Sequence, residues 1–398
     1  MGKSVFVTFV GGWGESGPER ALALAQGAIA LDNLAKAVGC GGFDRHVMVT
    51  DEPELLDIKL SGVEVERSPT PFHFGRCLQD VLRRYDAERA CCLGGGSMPL
   101  APESLFGEVA QRLSQSSETV ITNNLYSGDM TAFTPTAALE CIALPEIDNP
   151  LPRLLRDQGG LTAVALDKSI ETLMDVDTPT DLAVLSLYPR SPENIKQAVT
   201  ATELQRGQLR RAIACFTDKD ARVTVGGRVG SFVWSRLETD TACRCRVISE
   251  GRGMRAEGPC GAGRSVLGYL LDSSGVSGFF DRLAEMGDAA FIDTRVIFNH
   301  FGKAFPASDR FHSDMLEWKS VADPWLREFT QGAREATIPV VLGGHSLVSG
   351  GMLALIDAAW GGLVRRDDKA LWQGISAQPG SLTERACQRC TPPPSPPW

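Results

Sequence analysis

The segment from residue 11 to residue 18 has the composition of a loop that binds phosphate. It reads Gly-Gly-Trp-Gly-Glu-Ser-Gly-Pro and lies between the apolar run Ser4 to Val10 and a helical pattern. Glycines such as Gly11, Gly12 and Gly14 let backbone N–H groups approach a phosphate chain, and the next helix places its positive end there. The spacing is neither a Rossmann fingerprint nor a P-loop, so an ordinary turn is the alternative.

Two aspartates near the middle of the chain have the spacing of a metal-binding pair. Asp175 and Asp177 are separated by one residue, so an extended backbone places both carboxylates on the same face. Together with phosphate oxygens they could hold Mg²⁺ or Mn²⁺. The following Thr178 and Pro179 are a common helix start, so helix capping is a second interpretation that can hold alongside the first.

Other polar side chains also follow predicted strands. Asn123 and Asn124 come directly after Thr119–Thr122 and could contact a base or a ribose, while Asp129 could supply a further metal-binding carboxylate. A turn built on asparagine and glycine explains the same segment equally simply. Ser97 follows three glycines after another predicted strand, where its hydroxyl could contact a ligand.

A second glycine-rich loop lies in the last quarter of the chain. Gly343-Gly344-His345-Ser346 follows the apolar run Ile338–Leu342 and precedes a helical pattern, which repeats the layout of the first loop. Glycines on both sides of a histidine and two serines are more than a turn requires. We therefore expect Gly343, Gly344, His345 and Ser346 to contact a ligand.

Two further polar stretches of the second half have competing interpretations. Five arginines lie between Arg244 and Arg264 and could bind phosphate or carboxylate groups, although a salt-bridged surface has the same composition. His300 and His312 lie among aspartates and arginines between Asp293 and Asp314. Their irregular spacing favours surface salt bridges over a metal site.

Strand and helix patterns alternate along the whole chain, which predicts an α/β protein with mostly parallel sheets. The predicted strands are residues 4–10, 46–50, 63–67, 90–93, 119–122, 130–134, 162–166, 222–225, 245–249, 289–293 and 338–342. The predicted helices are residues 19–38, 74–85, 102–113, 180–186, 193–216, 265–273, 278–286, 323–335 and 351–360.

The length of 398 residues favours two domains. The polar, proline-containing turn after Leu187 marks the boundary, so we predict one domain at 1–187 and a second α/β domain at 193–366. Residues 367–398 lose periodicity and end in a proline-rich run, which predicts an irregular, disordered tail.

Three motifs of the first domain together resemble a known family. They are the strand with its glycine loop, Gly96-Ser97-Met98-Pro99-Leu100, and the terminal Asp177-Thr178-Pro179-Thr180-Asp181-Leu182. Residues 1–187 resemble the MobA-like nucleotidyltransferases, the relatives of the molybdenum-cofactor guanylyl- and cytidylyltransferases. The resemblance implies a doubly wound sheet of the glycosyltransferase-A type with an NTP across the carboxyl ends of its strands.

The resemblance also assigns roles to individual residues. Arg20 stands where the family has a lysine that binds the triphosphate, so it retains the charge but not the geometry. Asp177 matches a metal ligand of the family. Ser97 stands where the family has a metal-binding aspartate, and a hydroxyl is a weak ligand by itself. The implied catalytic residues are thus Arg20 and Asp177, with Asp175, Asp177 and Asp129 as metal ligands.

Composition restricts the partners. The net charge of −9 disfavours nucleic acid, and no apolar stretch approaches the roughly 20 residues that cross a bilayer, so we expect neither nucleic acid nor membrane as a partner. The eleven scattered cysteines indicate reduced thiols, which favours a cytoplasmic protein. The sequence does not indicate an oligomeric state.

The leading hypothesis is a protein that binds an NTP with Mg²⁺ or Mn²⁺ and transfers NMP to a small phosphorylated or acidic acceptor, releasing pyrophosphate. The alternatives are a nucleotide- or metabolite-binding protein that has lost transfer activity, and an enzyme whose chemistry lies in the second domain around its histidines.

Overall fold

Strands in the described residues form two separate sheets, one in each half of the chain. The computed structural model describes residues 3–198, 203–251 and 263–361. All eleven predicted strands are confirmed, each within three residues at either end. They are β1 (Lys3–Val10), β2 (Arg45–Thr50), β3 (Glu64–Arg67), β4 (Ala87–Gly94), β5 (Thr119–Thr122), β6 (Met130–Thr134), β7 (Thr162–Ala165), β8 (Arg222–Gly227), β9 (Arg244–Ser249), β10 (Ala289–Asp293) and β11 (Val340–Gly343).

Helices connect most of these strands. They are α1 (Gly17–Gly39), α2 (Pro53–Leu56), α3 (Phe74–Arg84), α4 (Glu103–Ser114), α5 (Leu151–Asp157), α6 (Ile170–Leu173), α7 (Pro179–Leu187), α8 (Glu193–Ala198), α9 (Glu203–Ala214), α10 (Ser231–Asp240), α11 (Val266–Met286), α12 (Thr294–His300), α13 (Ala307–Asp314), α14 (Pro324–Glu335) and α15 (Gly350–Ala359). Within α11, Gly275 has a φ of 68° and a ψ of 176°, which divides it as the sequence pattern predicts. Six helices have no counterpart in the sequence prediction, because with ten residues or fewer they are too short to show a clear apolar period: α2, α5, α6, α10, α12 and α13.

The first sheet has seven strands in the order β3-β2-β1-β4-β6-β5-β7. Only β6 runs antiparallel to its neighbours β4 and β5. Side chains alternate between its faces: Val5 and Val7 pack in one apolar cluster, whereas Phe6 packs in another with α1 and α4. Helices therefore cover both faces, and the prediction of a mostly parallel, doubly wound sheet is confirmed.

The second sheet has four strands in the order β11-β10-β8-β9, and all of them are parallel. It confirms that the second half is also α/β. The chain adds β9 on one side of β8 and then β10 on the other side. The direction in which strands are added therefore reverses at β8. Ligands of open α/β sheets usually lie outside the carboxyl ends at such a point.

One apolar cluster includes side chains from both halves of the chain. Leu22 of α1 and Leu182 of α7 share it with Val225, Phe291 and Leu347 of the second half. Residues 1–362 accordingly form a single compact unit. The predicted boundary at 187–193 falls between α7 and α8, and the predicted tail at 367–398 lies outside the described residues.

The helix α1 is more apolar than the sequence analysis allowed. Its 23 residues are long and apolar enough to cross a membrane by length and composition, with a mean hydropathy of 1.2. About half of that window, 56%, is buried inside the protein, where Leu22, Ile29 and Leu34 are inaccessible to solvent. A core helix of a folded protein has these same properties.

Gly350 of the second half packs directly against the backbone of the first half. A Cβ atom on Gly350 would be 2.2 Å from the backbone nitrogen of Met174 and 2.3 Å from the carbonyl of Leu173. Because backbone cannot move aside as a flexible side chain can, Gly350→Ala should lower the free energy of unfolding by about 1–3 kcal/mol.

Gly207 provides the matched control for this prediction. It lies in α9 with nothing within 4 Å of the position of its Cβ atom, so Gly207→Ala should raise stability by up to about 1 kcal/mol. Urea denaturation of both variants measures the difference. Equal effects of the two substitutions would contradict the close packing at Gly350.

Candidate functional site

The first glycine loop connects the carboxyl end of β1 to α1 in a conformation that requires glycine. Gly11 and Gly12 have φ values of 137° and 83°. The N–H of Gly12 donates to Oδ1 of Asp51 at 3.1 Å, and a Cβ atom on Gly11 would lie 1.7 Å from that same oxygen. The loop thus exposes backbone to solvent, but a carboxylate already stands beside it.

A tryptophan anchors this loop to the rest of the protein. The indole nitrogen of Trp13 donates to Gln26 at 2.8 Å, and Gln26 in turn donates to the carbonyl of Val176 at 2.7 Å. The ring of Trp13 also lies 5.5 Å from that of Phe311 in the second half. Ser16 and Glu19 form a capping box that starts α1. The loop is therefore fixed from three sides.

Arg20 is held by two acidic side chains. Its guanidinium contacts Glu52 at 2.7 Å and Glu54 at 2.8 Å, and these hydrogen bonds raise its pKa. Glu52 is buried, whereas Glu54 is exposed. The role of Arg20 as a phosphate ligand stays a prediction, and such binding would require the guanidinium to share or leave these carboxylates.

Ser97 and Asp175 are brought together by backbone pairing. They form an antiparallel bridge in which Val176 donates to the carbonyl of Gly96 at 3.1 Å and Met98 donates to that of Met174 at 3.1 Å. Ser97 is 3% exposed. The glycine segment after β4 and the aspartate pair before α7 are therefore neighbours, although about 80 residues separate them in the sequence.

Asp148 is the site residue that the sequence analysis left out. A Cβ atom on Gly94 would be 3.0 Å from Oγ of Ser97 and 3.4 Å from Oδ2 of Asp148, so both oxygens lie next to Gly94. Asp148 thus brings a carboxylate close to the position where Ser97 lacks one. It lies in a loop after no strand, and therefore no local pattern marks it.

Three aspartates with raised pKa values lie beside Asp177 at this edge of the first sheet. Burial, then repulsion from Asp177 and Asp129, raises the pKa of Asp175 well above its usual range. Burial raises the pKa of Asp129 to about 7 and that of Asp148 to about 6, with Asp177 adding repulsion to both. We call Asp129, Asp148, Asp175 and Asp177 the carboxylate cluster. Asp177 is exposed and opens the cluster to solvent.

Asn123 positions Asp129 in this cluster. Its amide nitrogen donates to the carboxylate of Asp129 at 2.9 Å and to the carbonyl of Thr172 at 3.1 Å. Its oxygen accepts from the backbone of Asp129 and of Met130. Asn124 accepts from the N–H of Tyr126 in a local turn. The turn interpretation thus describes both asparagines, and their contact with a base or ribose stays a prediction.

The start of α7 does not use Asp177 as its cap. Thr178 is the N-cap residue, and the carboxylate of Asp181 accepts from its hydroxyl at 2.8 Å and from its N–H at 2.9 Å. Burial raises the pKa of Asp181 to about 8. Because Thr178 and Asp181 complete the capping box, the carboxylate of Asp177 is left to face the cluster.

The cluster has the donor chemistry of a Mg²⁺ or Mn²⁺ site, since carboxylate oxygens are the preferred ligands of both ions. Within residues 3–198, 203–251 and 263–361, no three His, Cys, Asp or Glu side chains are arranged as a ready metal cage. Mg²⁺ is commonly held by one or two carboxylates plus substrate phosphates. The residues would therefore fit a cation whose remaining ligands come from a bound molecule or water.

The second glycine loop packs on the aspartate segment. The hydroxyl of Ser346 donates to the carbonyl of Asp175 at 2.6 Å, and a Cβ atom on Gly344 would be 3.1 Å from Thr178. Gly343 similarly lies against Thr180. Close packing thus explains these glycines. Burial opposes ionisation of Asp293, but Arg228 and, to a smaller extent, half-buried His345 lower its pKa. Ligand binding by residues 343–346 stays a prediction.

The polar stretch Asp293–Asp314 forms ion pairs, but the prediction that they lie at the surface is wrong. Asp293 is fully buried and pairs with Arg228 at 2.6 Å, and Asp314 is fully buried and pairs with Arg295 at 2.7 Å. His300 accepts from the N–H of Ser265. These groups hold the carboxyl end of the second sheet together. Arg252 and Arg255 lie outside the described residues.

No protein-family model matches the sequence, and no curated protein matches it. Solved structures match about half of the chain. A protein from Desulfovibrio desulfuricans assigned as a nucleotide-diphospho-sugar transferase is 16% identical with a TM-score of 0.37, covering 50% of this chain and 94% of its own. A cytidylyltransferase from Leptospira borgpetersenii is 16% identical with a TM-score of 0.37, covering 49% and 90%.

A Mycobacterium tuberculosis protein in complex with manganese is 17% identical with a TM-score of 0.32, covering 45% of this chain and 95% of its own. At this low level of similarity, these matches establish neither activity nor substrate. The specific resemblance to MobA-like enzymes likewise stays a prediction.

The cluster predicts a pH dependence of the metal-free protein. Asp129 and Asp148 have folded pKa values of about 7 and about 6 against an ordinary value of 3.8. The folded protein therefore keeps these two protons up to a higher pH than the unfolded chain does. This contribution to stability is present below about pH 4 and is lost as the pH rises through 6 and 7. Asp129→Asn should therefore gain stability relative to the parent between pH 4 and pH 8, by on the order of 1 kcal/mol.

Urea denaturation at several pH values in the presence of a chelator measures this difference. Asp157→Asn is the control, because Arg156 lowers the pKa of exposed Asp157 and the sign of its contribution is opposite. If the difference in free energy of unfolding between Asp129→Asn and the parent does not change with pH, the carboxylate of Asp129 does not have the raised pKa described above.

Proposed function

We propose that residues 1–187 bind an NTP with a divalent cation and transfer NMP to a small phosphorylated or acidic acceptor, releasing pyrophosphate. The observation that carries this proposal is the carboxylate cluster at the carboxyl edge of the first sheet, beside a glycine loop that exposes backbone N–H groups. Both features lie where open α/β sheets bind their ligands.

The acidic surroundings of the glycine loop determine what can bind there. Asp51 accepts from Gly12, and Glu52 and Glu54 neutralise Arg20. A triphosphate by itself would meet these carboxylates and the cluster, which repel it. A divalent cation changes the sign of that interaction, because Asp177 and Asp129 would hold it from the protein side and the phosphates from the other.

In the proposed reaction, an oxygen of the acceptor attacks the α-phosphorus, a P–O bond forms, and the bond to pyrophosphate breaks. The cation would neutralise charge on the phosphates. The residues of the chain position the reactants: Gly11, Gly12 and Gly14 border the triphosphate, and Asp129, Asp148, Asp175 and Asp177 border the cation. Such catalysis is mainly electrostatic.

In this proposal the second half contributes to binding of the acceptor. Ser346 contacts Asp175, and Phe311 contacts Trp13 of the glycine loop. The second half therefore borders both parts of the proposed site. In this proposal the acceptor approaches Asp177 from that side, next to residues 343–346.

Binding of a nucleotide without transfer is the second candidate function. It is favoured by the occupied guanidinium of Arg20 and by Ser97 in place of a carboxylate. A thermal-shift panel with NTPs and Mn²⁺ combined with a pyrophosphate assay separates the two functions. Stabilisation, which reaches about 2.7 kcal/mol at 100 times the Kd, without pyrophosphate release would support binding alone.

Nucleotide binding should depend strictly on the divalent cation and on Asp177. We expect wild-type protein to bind an NTP with Mn²⁺ but not with a chelator, and Asp177→Asn to weaken binding by roughly 10–100-fold or more. Isothermal titration calorimetry measures both. Asp157→Asn removes an exposed carboxylate outside the cluster and should bind like the parent.

Circular dichroism shows whether each variant is folded, so that lost binding is not misread as lost structure. Equal nucleotide affinity with and without the cation, in a folded protein, would contradict the proposed function. Unchanged affinity in Asp177→Asn would exclude the carboxylate cluster as the metal site.

A further inference from the structure

Two cysteines outside the proposed site lie within contact distance of each other. Cys243 immediately precedes β9 and Cys245 is the second residue of that strand, so Arg244 alone separates them. Residues two apart in extended backbone project from the same face. Their Sγ atoms are 3.6 Å apart.

The surroundings of the pair keep it in place and accessible. The hydroxyl of Thr241 lies 3.5 Å from Sγ of Cys243 and 3.7 Å from Sγ of Cys245. Both cysteines are half-buried, and β9 is an edge strand of the second sheet. Ala242 and Arg244 donate backbone hydrogen bonds to Phe216 and Ala221, which fixes the chain around Cys243.

The two thiols are chemically unequal. The hydrogen bond from Cys245 lowers the pKa of Cys243 to about 7, although burial and the charge of Asp218 oppose this. The same hydrogen bond, followed by burial, raises the pKa of Cys245, and Glu238 adds to it. A thiolate stabilised by a neighbouring thiol is the reactive form of cysteine.

We propose that Cys243 and Cys245 form a reversible dithiol–disulfide site that a hydroperoxide oxidises. The thiolate of Cys243 attacks one oxygen of the peroxide, and the O–O bond breaks. The departing oxygen takes up one proton and leaves as water or an alcohol, and Cys243 keeps the other oxygen as a sulfenic acid. Sγ of Cys245 then attacks that sulfur, its proton leaves with the hydroxyl group as water, and the S–S bond forms. Each sulfur loses one electron and the peroxide gains two.

The geometry favours a labile disulfide over a permanent one. Closing the pair needs the sulfurs to approach by about 1.5 Å, from 3.6 Å to the roughly 2.05 Å of a disulfide. A bond between residues two apart on a hydrogen-bonded edge strand constrains the backbone, and strained or exposed disulfides are easily reduced. A thiol such as dithiothreitol should therefore restore the pair.

Mass spectrometry of the full chain tests the proposal after treatment with graded hydrogen peroxide and alkylation of the remaining thiols. Trypsin cleaves after Arg244, so the disulfide joins residues 237–244 to residues 245–246 in the non-reduced digest. We expect this linked product at the lowest peroxide concentrations and its complete loss after dithiothreitol.

Three variants make the test specific. Cys245→Ser should accumulate sulfenic acid on Cys243, detected by dimedone labelling, whereas Cys243→Ser should give no linked product. Cys215→Ser is the matched control, since Cys215 is also half-buried but burial raises its pKa, and it should keep the disulfide. Pairing of either cysteine with Cys387 or Cys390, or oxidation of Cys243 to sulfinic acid without a disulfide in the wild type, would overturn the proposal.

Discussion

The short segment from Leu173 to Asp181 is the constraint on which the candidate site depends. On one side it pairs with Gly96 and Met98 after β4, and on the other it accepts a hydrogen bond from Ser346 and packs against Gly350. Held from both sides, the segment can place two carboxylates at a fixed point beside the glycine loop. Neither half of the chain could define that point by itself, because each supplies only one of the two supports.

This fixed placement brings together aspartates that repel one another. Asp129, Asp148 and Asp175 all have raised pKa values, and repulsion from Asp177 contributes to each. Two buried aspartates of the second half are instead paired with arginines: Asp293 with Arg228, and Asp314 with Arg295. Placing several carboxylates close together costs folding free energy when they ionise, unless a cation binds among them. The contrast between the two regions is the physical argument for a site that receives its positive charge from outside.

The sequence predicts the strands well because each is a short apolar run with clear turns on both sides, as in Ser4–Val10 and Ala289–Asp293. It also singles out Asp175 and Asp177 by their spacing before a helix start, and Asp129 by the polar segment that follows Thr119–Thr122. It does not find Asp148, whose loop reaches Ser97 only through the tertiary fold. Similarly, the glycines at 343 and 344 look like a ligand loop in the sequence, but their contacts with Thr178 and Thr180 are visible only in three dimensions.

Anomalous diffraction from crystals grown with Mn²⁺ and an NTP tests the central claim most directly. The account predicts an anomalous peak bordered by Asp129 and Asp177, within coordination distance of a carboxylate oxygen, with the triphosphate along residues 11–14. A peak at that place that disappears in Asp177→Asn would establish the cluster as the metal site. A nucleotide bound at residues 343–346 with no metal at the cluster would contradict the account and move the chemistry to the second sheet.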